Sequence, residues 1–344
     1  MSDATTTPIT VVGAGAIGGT LAIHLDAAGV PVQLVDADPA HVAAIRDRGL
    51  TLITPDGATT AHLPVFGLDD APAELGRVLL AVKAQATDSA AAWIAGRLAP
   101  DGFVASLQNG LNEATIARHV GVHRTVIAFV DLFADVMEPG VVKDGGHGGM
   151  ALGEYGGGTS DRVRQLAADL HHWGTPVVTD NVSGFLWSKL AFGATLSATA
   201  LADEDMSVLI DRHRDVMITL VREVIAVSDA LGIALEPFDA FEPDAFRPDV
   251  DPDVTASSID RLVAWLATQS KTRSGIWRDI AVRNRPTEVP THYRPVIEEG
   301  AAHGLSLPTV AALVTTIGRL ERFEIPMDEA LLVDLAGAGA EVAR

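Results

Sequence analysis

Residues 9–25 run ITVVGAGAIGGTLAIHL: a short apolar stretch, three spaced glycines, then an amphipathic segment. Gly13, Gly15 and Gly18 stand in the order G-x-G-x-x-G. In that pattern the first glycine makes a tight turn, the second lets a pyrophosphate approach the backbone, and the third lets a helix pack closely on a strand. Chance turns produce the pattern often, so its context decides. Here it follows an apolar run that reads as a strand and opens a segment that reads as a helix. The amides of Gly15, Ala16, Ile17 and Gly18 then lie at a helix start, where free N–H groups and the positive dipole end favour phosphate. Asp36 closes the next apolar run, VQLVD, 18 residues after Gly18. A carboxylate there binds ribose hydroxyls and repels the 2′-phosphate of NADP. The stretch predicts dinucleotide binding, with NAD favoured and NADP possible.

Working outward, VPVQLVD, RVLLAVK, FVASLQN and TVIAFVD also read as buried strands rich in valine, leucine and isoleucine. Alanine-rich helical segments such as ATDSAAAWIAGRLA separate several of them. Alternating strand and helix predicts an α/β domain, a mostly parallel sheet covered by helices, over residues 1–182. Within it, VVKDGGHGGMALGEYGGG reads as short strands joined by glycine turns. From residue 183 the periodicity becomes helical and no strong strand follows, which predicts an all-helical domain over 183–344. Residues 236–254, rich in proline and aspartate, read as an insertion that is either a lid or a passive loop; turn chemistry suits them better than a metal site. No metal site is expected elsewhere. The C-terminal DEALLVDLAGAGAEVA has the pattern of a helix that packs either internally or against a second subunit, leaving a homodimer open.

Composition narrows the function. Hydrophobic residues make up 48% of the 344 and charged ones 20%, as in a well-buried globular enzyme. The absence of cysteine excludes disulfides, thiolate catalysis and cysteine-ligated zinc, and suits a reducing cytoplasm. There is no run of the roughly 18 apolar residues a membrane span needs, and MSDATTTPIT lacks the profile of a secretory signal. A net charge of −20 argues against nucleic acid or an anionic membrane as partner. It leaves room for a small anionic substrate, since one or two placed cations dominate a cleft.

Four polar groups stand where a plain core would not place them. Lys83 and Asn109 follow two consecutive predicted strands, at the edge where ligands of such sheets collect. Lys189 lies in FLWSKLAFGATLSA, a helix otherwise apolar or small. An ammonium there is costly unless it snorkels, pairs or works, and a desolvated lysine can exchange a proton with substrate. Glu288, in RPTEVP, stands at a predicted helix start; spacing alone leaves its pairing with Lys189 open.

The glycine motif, LLAVKAQ, SLQNGLN, WSKLAFGATLSATAL, RDIAVRNRPTEV and AAHGLSLPT occur in the order found in ketopantoate reductases (2-dehydropantoate 2-reductases), which the chain resembles over roughly residues 9–320. The resemblance implies a Rossmann domain followed by a helical domain akin to those of 6-phosphogluconate dehydrogenases, with substrate in the cleft between. It implies Lys189 as the general acid that protonates a ketone oxygen, Glu288 as its partner or that of the nascent hydroxyl, and Lys83 and Asn109 beside nicotinamide and substrate. Proton donation of this kind contributes about 10²–10⁴-fold.

Four departures from the family follow. One turn after the lysine, where the family has a substrate-contacting asparagine, stands Gly193. Ser274 and Gly275 replace a serine-lined stretch, Arg294 stands where glycine is common, and Asp36 stands where a basic residue selects NADP. Kept chemistry with altered recognition predicts a 2-oxo or 2-hydroxy acid oxidoreductase of diverged substrate; ketopantoate itself stays open, as does a bulkier or different acid, with Gly193 and Gly275 making room. Ser274 and Arg294 are candidate substrate contacts; a surface arginine is the alternative for the latter. An alcohol, ketone or imine of another kind remains open. A non-catalytic dinucleotide-binding regulator is disfavoured, because binding alone needs neither Lys189 nor Glu288.

Overall fold

The computed structural model describes residues 7–132, 134–146, 148–269 and 271–342, with side chains to residue 337. The chain divides into two compact units, Met1–Val182 and Ser183–Arg344.

The first unit contains strands β1 (Ile9–Val12), β2 (Val32–Val35), β3 (Leu50–Thr54), β4 (Gly57–Ala61), β5 (Val65–Phe66), β6 (Leu75–Leu80), β7 (Leu98–Ser106), β8 (Thr125–Val130), β9 (Ala134–Glu138), β10 (Val141–Asp144), β11 (Gly149–Glu154) and β12 (Thr175–Val178). Its helices are α1 (Ala16–Ala27), α2 (Pro39–Arg48), α3 (Thr87–Ala95), α4 (Glu113–Val120) and α5 (Asp161–Leu170). Eight strands form one sheet in the order β12-β11-β8-β7-β6-β1-β2-β5. From β5 to β8 every pairing is parallel, while β11 joins β8 antiparallel. This is a Rossmann-like sheet. Strand order reverses between β1 and β6, so the crevice outside their carboxyl ends is where such folds bind ligands. The expected buried strands follow from the pattern: β1 and β8, apolar apart from Thr10 and Thr125, are buried along their whole length. Asp38 caps α2, accepting from the amides of Ala40 and His41, with Pro39 preset for the first helical position.

A second, four-stranded sheet, β4-β3-β10-β9, was not expected. Its edge strand β4, GATTA, is exposed over its first four residues and carries no apolar run to betray it. The two strands anticipated around residues 141–155 are β10 and β11, and they belong to different sheets.

The second unit is helical: α6 (Val182–Ala198), α7 (Met206–Arg212), α8 (Arg214–Ala230), α9 (Pro252–Thr268), α10 (Gly275–Ala281), α11 (Val289–Ala302), α12 (Pro308–Glu321) and α13 (Ala330–Val342). Among its described residues the one strand-like pairing is an isolated bridge between Phe238 and Phe241. That bridge lies in the proline- and aspartate-rich insertion. Phe238, Phe241 and Phe246 are buried. Phe241 stacks on Phe192 of α6 at 5.5 Å between ring centroids and on Phe246 at 5.4 Å. A segment that buries three rings is core, with its charges left outside. Among the described residues no cluster of His, Asp or Glu is fit to hold a metal. Leu332 and Leu335 of α13 are buried, and that helix packs on α8 and α12 of its own unit. No single helix among the described residues is long and apolar enough to cross a membrane.

Candidate active site

The glycine stretch forms the turn from β1 into α1. Gly13 has φ +98°, and a Cβ on it would lie 2.8 Å from the Ala81 carbonyl carbon and the Val82 nitrogen, so the backbone just after β6 leaves no room for a side chain. At Gly18 a Cβ would lie 2.0 Å from the Gly13 carbonyl oxygen and 2.7 Å from Val11. Gly15 differs: within 4 Å a Cβ would meet only Val136, at 3.9 Å. The fold itself requires glycine at 13 and 18, whereas at 15 it leaves space. Gly15, Ala16 and Ile17 are also partly accessible between buried neighbours. Their amides, at a helix start, lack intrahelical acceptors.

Asp36 directly follows β2, beside this turn. Its Oδ2 accepts from the Ala14 amide at 2.7 Å and its Oδ1 from the Asp38 amide at 2.8 Å. Each oxygen keeps a further lone pair, so the carboxylate has acceptor capacity left for a diol. His41, which the sequence reading passed over, lies on the other side: its ring bridges the Ala14 carbonyl oxygen at 2.9 Å and the Gly140 amide at 3.1 Å.

Lys83 and Asn109 follow β6 and β7 at the same sheet edge, and both are exposed. A buried network missed from sequence joins their loops. Gln108 Nε2 donates to the Val82 carbonyl at 2.9 Å and to Thr87 Oγ1 at 2.8 Å. The Thr87 hydroxyl lies 3.0 Å from Asn112 Oδ1, and Asn112 Nδ2 donates to the Asn109 carbonyl at 2.7 Å. Next to it Glu113 is buried. Desolvation pushes its carboxyl up to about 7, against the opposing hydrogen bonds of the Asn112 and Glu113 amides. Polar residues after a strand end were the only sequence signal for this network, and they fit an ordinary turn equally well.

In the second unit α6 is buried on most of its surface. Between residues 185 and 196 the partly accessible positions are Phe185, Lys189, Gly193 and Leu196, one stripe at helical spacing. Lys189 is thus on the open face of a core helix. Glu288 precedes α11, and its side chain is 13% exposed. Thr287 holds it in place: the Thr287 amide and hydroxyl both donate to Glu321 Oε1, at 2.8 and 2.6 Å. His292, one turn on, brings Nε2 to 4.0 Å from Glu288 Oε1. Tyr293, 1% exposed, donates from Oη to the Leu190 carbonyl at 2.9 Å. That bond docks α11 onto α6 one residue beyond Lys189. Burial raises the Tyr293 phenol well above the usual range, so it stays protonated.

Three expected substrate contacts change meaning. A Cβ at Gly193 would lie 3.0 Å from Tyr293 Oη, so the missing side chain leaves no void for a bulkier acid; tyrosine fills it. Arg294 is exposed, two residues and about 200° around the helix from His292, which turns it away from Glu288. The surface alternative is the one observed. Ser274 is buried and its Oγ accepts from the Trp277 amide at 3.1 Å, capping α10. Its hydroxyl proton remains available. Gly275 does have open space, where a Cβ would meet only Lys271 Nζ, at 4.0 Å. Lys271 is a further residue the sequence reading did not single out.

A Rossmann-like sheet with an accessible glycine turn, joined to a helical unit carrying a half-buried lysine, defines the class of dinucleotide-dependent oxidoreductases. Residues 9–157 match the family described as Ketopantoate reductase PanE/ApbA, and residues 181–321 match its C-terminal counterpart. The chain belongs to the ketopantoate reductase PanE/ApbA family. It is 28% identical to a 2-dehydropantoate 2-reductase of Halobacterium salinarum over 320 residues, covering 91% of this chain and 99% of that protein. Among solved structures it resembles a PanE/ApbA family ketopantoate reductase from Ralstonia eutropha, with a TM-score of 0.73, 27% identity and coverage of 92% and 99% of the two chains. It also resembles D-mandelate dehydrogenase solved with NADH and anilino(oxo)acetate, with a TM-score of 0.80, 22% identity and the same coverage.

Proposed function

We propose that this protein is an NAD-linked oxidoreductase that interconverts a 2-oxo acid and its 2-hydroxy acid. The observation that carries the reading is Lys189: a half-buried lysine on the partly accessible stripe of an otherwise buried helix, α6, onto which α11, the helix that Glu288 precedes, docks through Tyr293.

The residues of the first unit fit a dinucleotide. Gly15 has space where a side chain would stand, Gly15, Ala16 and Ile17 are partly accessible residues at a helix start, and Asp36 keeps lone pairs for ribose hydroxyls. The Asp36 carboxylate disfavours a 2′-phosphate, which supports NAD over NADP. When bound, the reduced nicotinamide supplies a hydride. Lys83 and Asn109, at the edge of the same sheet, are the groups proposed to orient the ring and substrate.

Lys189 Nζ donates the proton that the carbonyl oxygen requires as it gains negative charge. An ammonium there both stabilises and neutralises a developing alkoxide. Glu288 orients Lys189 or receives a hydrogen bond from the new hydroxyl. Lys271, whose Nζ lies 4.0 Å from where a Cβ on Gly275 would stand, is the cation proposed to suit a substrate carboxylate. The affinity for an anion on a chain of charge −20 then rests on a few placed groups.

The test is oxidation of NADH and of NADPH by purified protein with ketopantoate and a series of other 2-oxo acids, mandelate-type aromatic acids included. Turnover with NADH on at least one acid is expected. Lys189→Ala is expected to lower kcat by at least about 100-fold while NADH affinity stays within about twofold. Full activity in Lys189→Ala, or no turnover with any 2-oxo or 2-hydroxy acid, would sink the proposal.

A further inference from the structure

We propose that His41 is a positioning residue for the dinucleotide, fixing the Ala14–Gly15 peptide so that the Gly15 N–H faces the incoming phosphate. This rests on reading the glycine turn as the nucleotide site.

His41 is 5% exposed in the first turn of α2, and both ring nitrogens are engaged. The Gly140 amide, 3.1 Å from Nδ1, can only donate, so Nδ1 carries the lone pair and the hydrogen sits on Nε2. That Nε2–H donates to the Ala14 carbonyl oxygen at 2.9 Å. On its other side the Ala14 amide donates to Asp36 at 2.7 Å. Ala14 is therefore clamped at both its N–H and its C=O.

A trans peptide is planar, and its C=O and following N–H point in opposite directions. Holding the Ala14 carbonyl towards His41 aims the Gly15 N–H away from His41. Glycine at 15 makes this peptide easy to turn over, because it tolerates backbone conformations that other residues do not. A turned-over peptide would present a carbonyl oxygen to a phosphate, which repels it. His41 removes that freedom. Its own support comes from the second sheet: Gly140, at φ +81° between β9 and β10, is tied by its carbonyl to the Thr51 amide at 2.9 Å. The small sheet, which packs on α1 and buries Leu50, Leu52 and Val142 in the core, thus also holds the imidazole that sets the turn.

The experiment compares wild type, His41→Asn and His41→Gln in the full chain by fluorescence titration with NADH. Adenosine, which has a ribose and no phosphate, serves as competitor, and thermal midpoints are recorded. The asparagine retains an acceptor near Nδ1 but loses the donor to Ala14; the glutamine amide reaches the Nε2 position and keeps it. His41→Asn is expected to weaken NADH about tenfold and leave adenosine unchanged, the loss of one oriented hydrogen bond, while His41→Gln stays within about threefold. Equal NADH affinity in His41→Asn and wild type overturns the proposal. So does equal weakening of both variants together with adenosine, which would make His41 merely structural. Independently of any variant, nitrogen NMR of the wild type is expected to find the hydrogen on Nε2; a hydrogen on Nδ1 overturns the proposal. Failure of the wild type to bind NADH at all would instead remove the nucleotide-site reading beneath it.

Discussion

The glycine turn of the first unit and the α6–α11 face of the second present polar groups by opposite means. In the turn, the groups offered are backbone amides, and sequence neighbours place them: Gly13 to Gly18 are six consecutive residues, and steric exclusion at 13 and 18 determines their path. On the helical face the groups are side chains of Lys189 and Glu288, 99 positions apart in the chain, and distant hydrogen bonds hold the helices that carry them: Tyr293 to Leu190, Thr287 to Glu321. A local motif announces itself in sequence. A site assembled by packing does not, and depends on residues that no motif marks.

Substitutions can test that difference. The largest effect is expected within the turn, where Gly18→Ala should cost more than about 3 kcal/mol, the upper end for overpacking, because its Cβ meets backbone that cannot move aside. Gly15→Ala should change stability by no more than about 1 kcal/mol, as for a helix N-cap exchange, yet weaken NADH at least tenfold. Urea unfolding and NADH titration of both variants separate the two roles. Equal stability losses would show that Gly15 also serves the fold.

Glu113 is the exception in the first unit, a side chain whose burial sets its chemistry. Its carboxyl is raised from 4.5 to about 7. As pH rises through that window the unfolded chain ionises first, so the folded state binds more protons and stability falls. The contribution is whole below about pH 4.5 and lost by about pH 7, on the order of 3 kcal/mol. Glu113→Gln keeps an acceptor for the two amides and cannot ionise. Its unfolding free energy should match wild type near pH 4.5 and exceed it by pH 8; an advantage independent of pH would contradict this account.

The smallest effect belongs to the helical face. Tyr293→Phe loses the bond to Leu190 and should cost about 1 kcal/mol. Gly193→Ala should be costlier beside Tyr293 than beside phenylalanine, since its Cβ would stand 3.0 Å from the phenol oxygen. A double-mutant cycle by thermal or urea unfolding is expected to give a coupling of at least about 0.5 kcal/mol. Additive losses would mean that Tyr293 and Gly193 are not a matched pair.

Much of the first unit was legible. VPVQLVD, RVLLAVK and TVIAFVD announce strands buried on both faces, and G-x-G-x-x-G between strand and helix announces the turn. β3 and β4 were not legible, because LTLIT and GATTA form a half-exposed sheet whose threonines satisfy no strong period. Asp36 was read for its ligand alone; that it also holds the Ala14 amide needs the fold of the turn. On the helical face, Lys189 stood out as a charge in an apolar helix. Gly193, Arg294 and Ser274 were read as pocket changes, since a one-dimensional pattern cannot say what fills the space beside a glycine or which way a helix faces.

By itself the sequence determined the α/β-then-helical division, several buried strands of the main sheet, the glycine turn and the identity of the charged residues worth suspecting, because burial and turn chemistry act between near neighbours and leave periodic marks. Tertiary structure alone decided that Tyr293 occupies the space beside Gly193, that Arg294 faces solvent, that three phenylalanines pin the acidic insertion into the core, and that His41 bridges the turn to a second sheet. Each of these depends on contacts between residues far apart in the chain, where close packing and hydrogen-bond direction, rather than local propensity, select the arrangement.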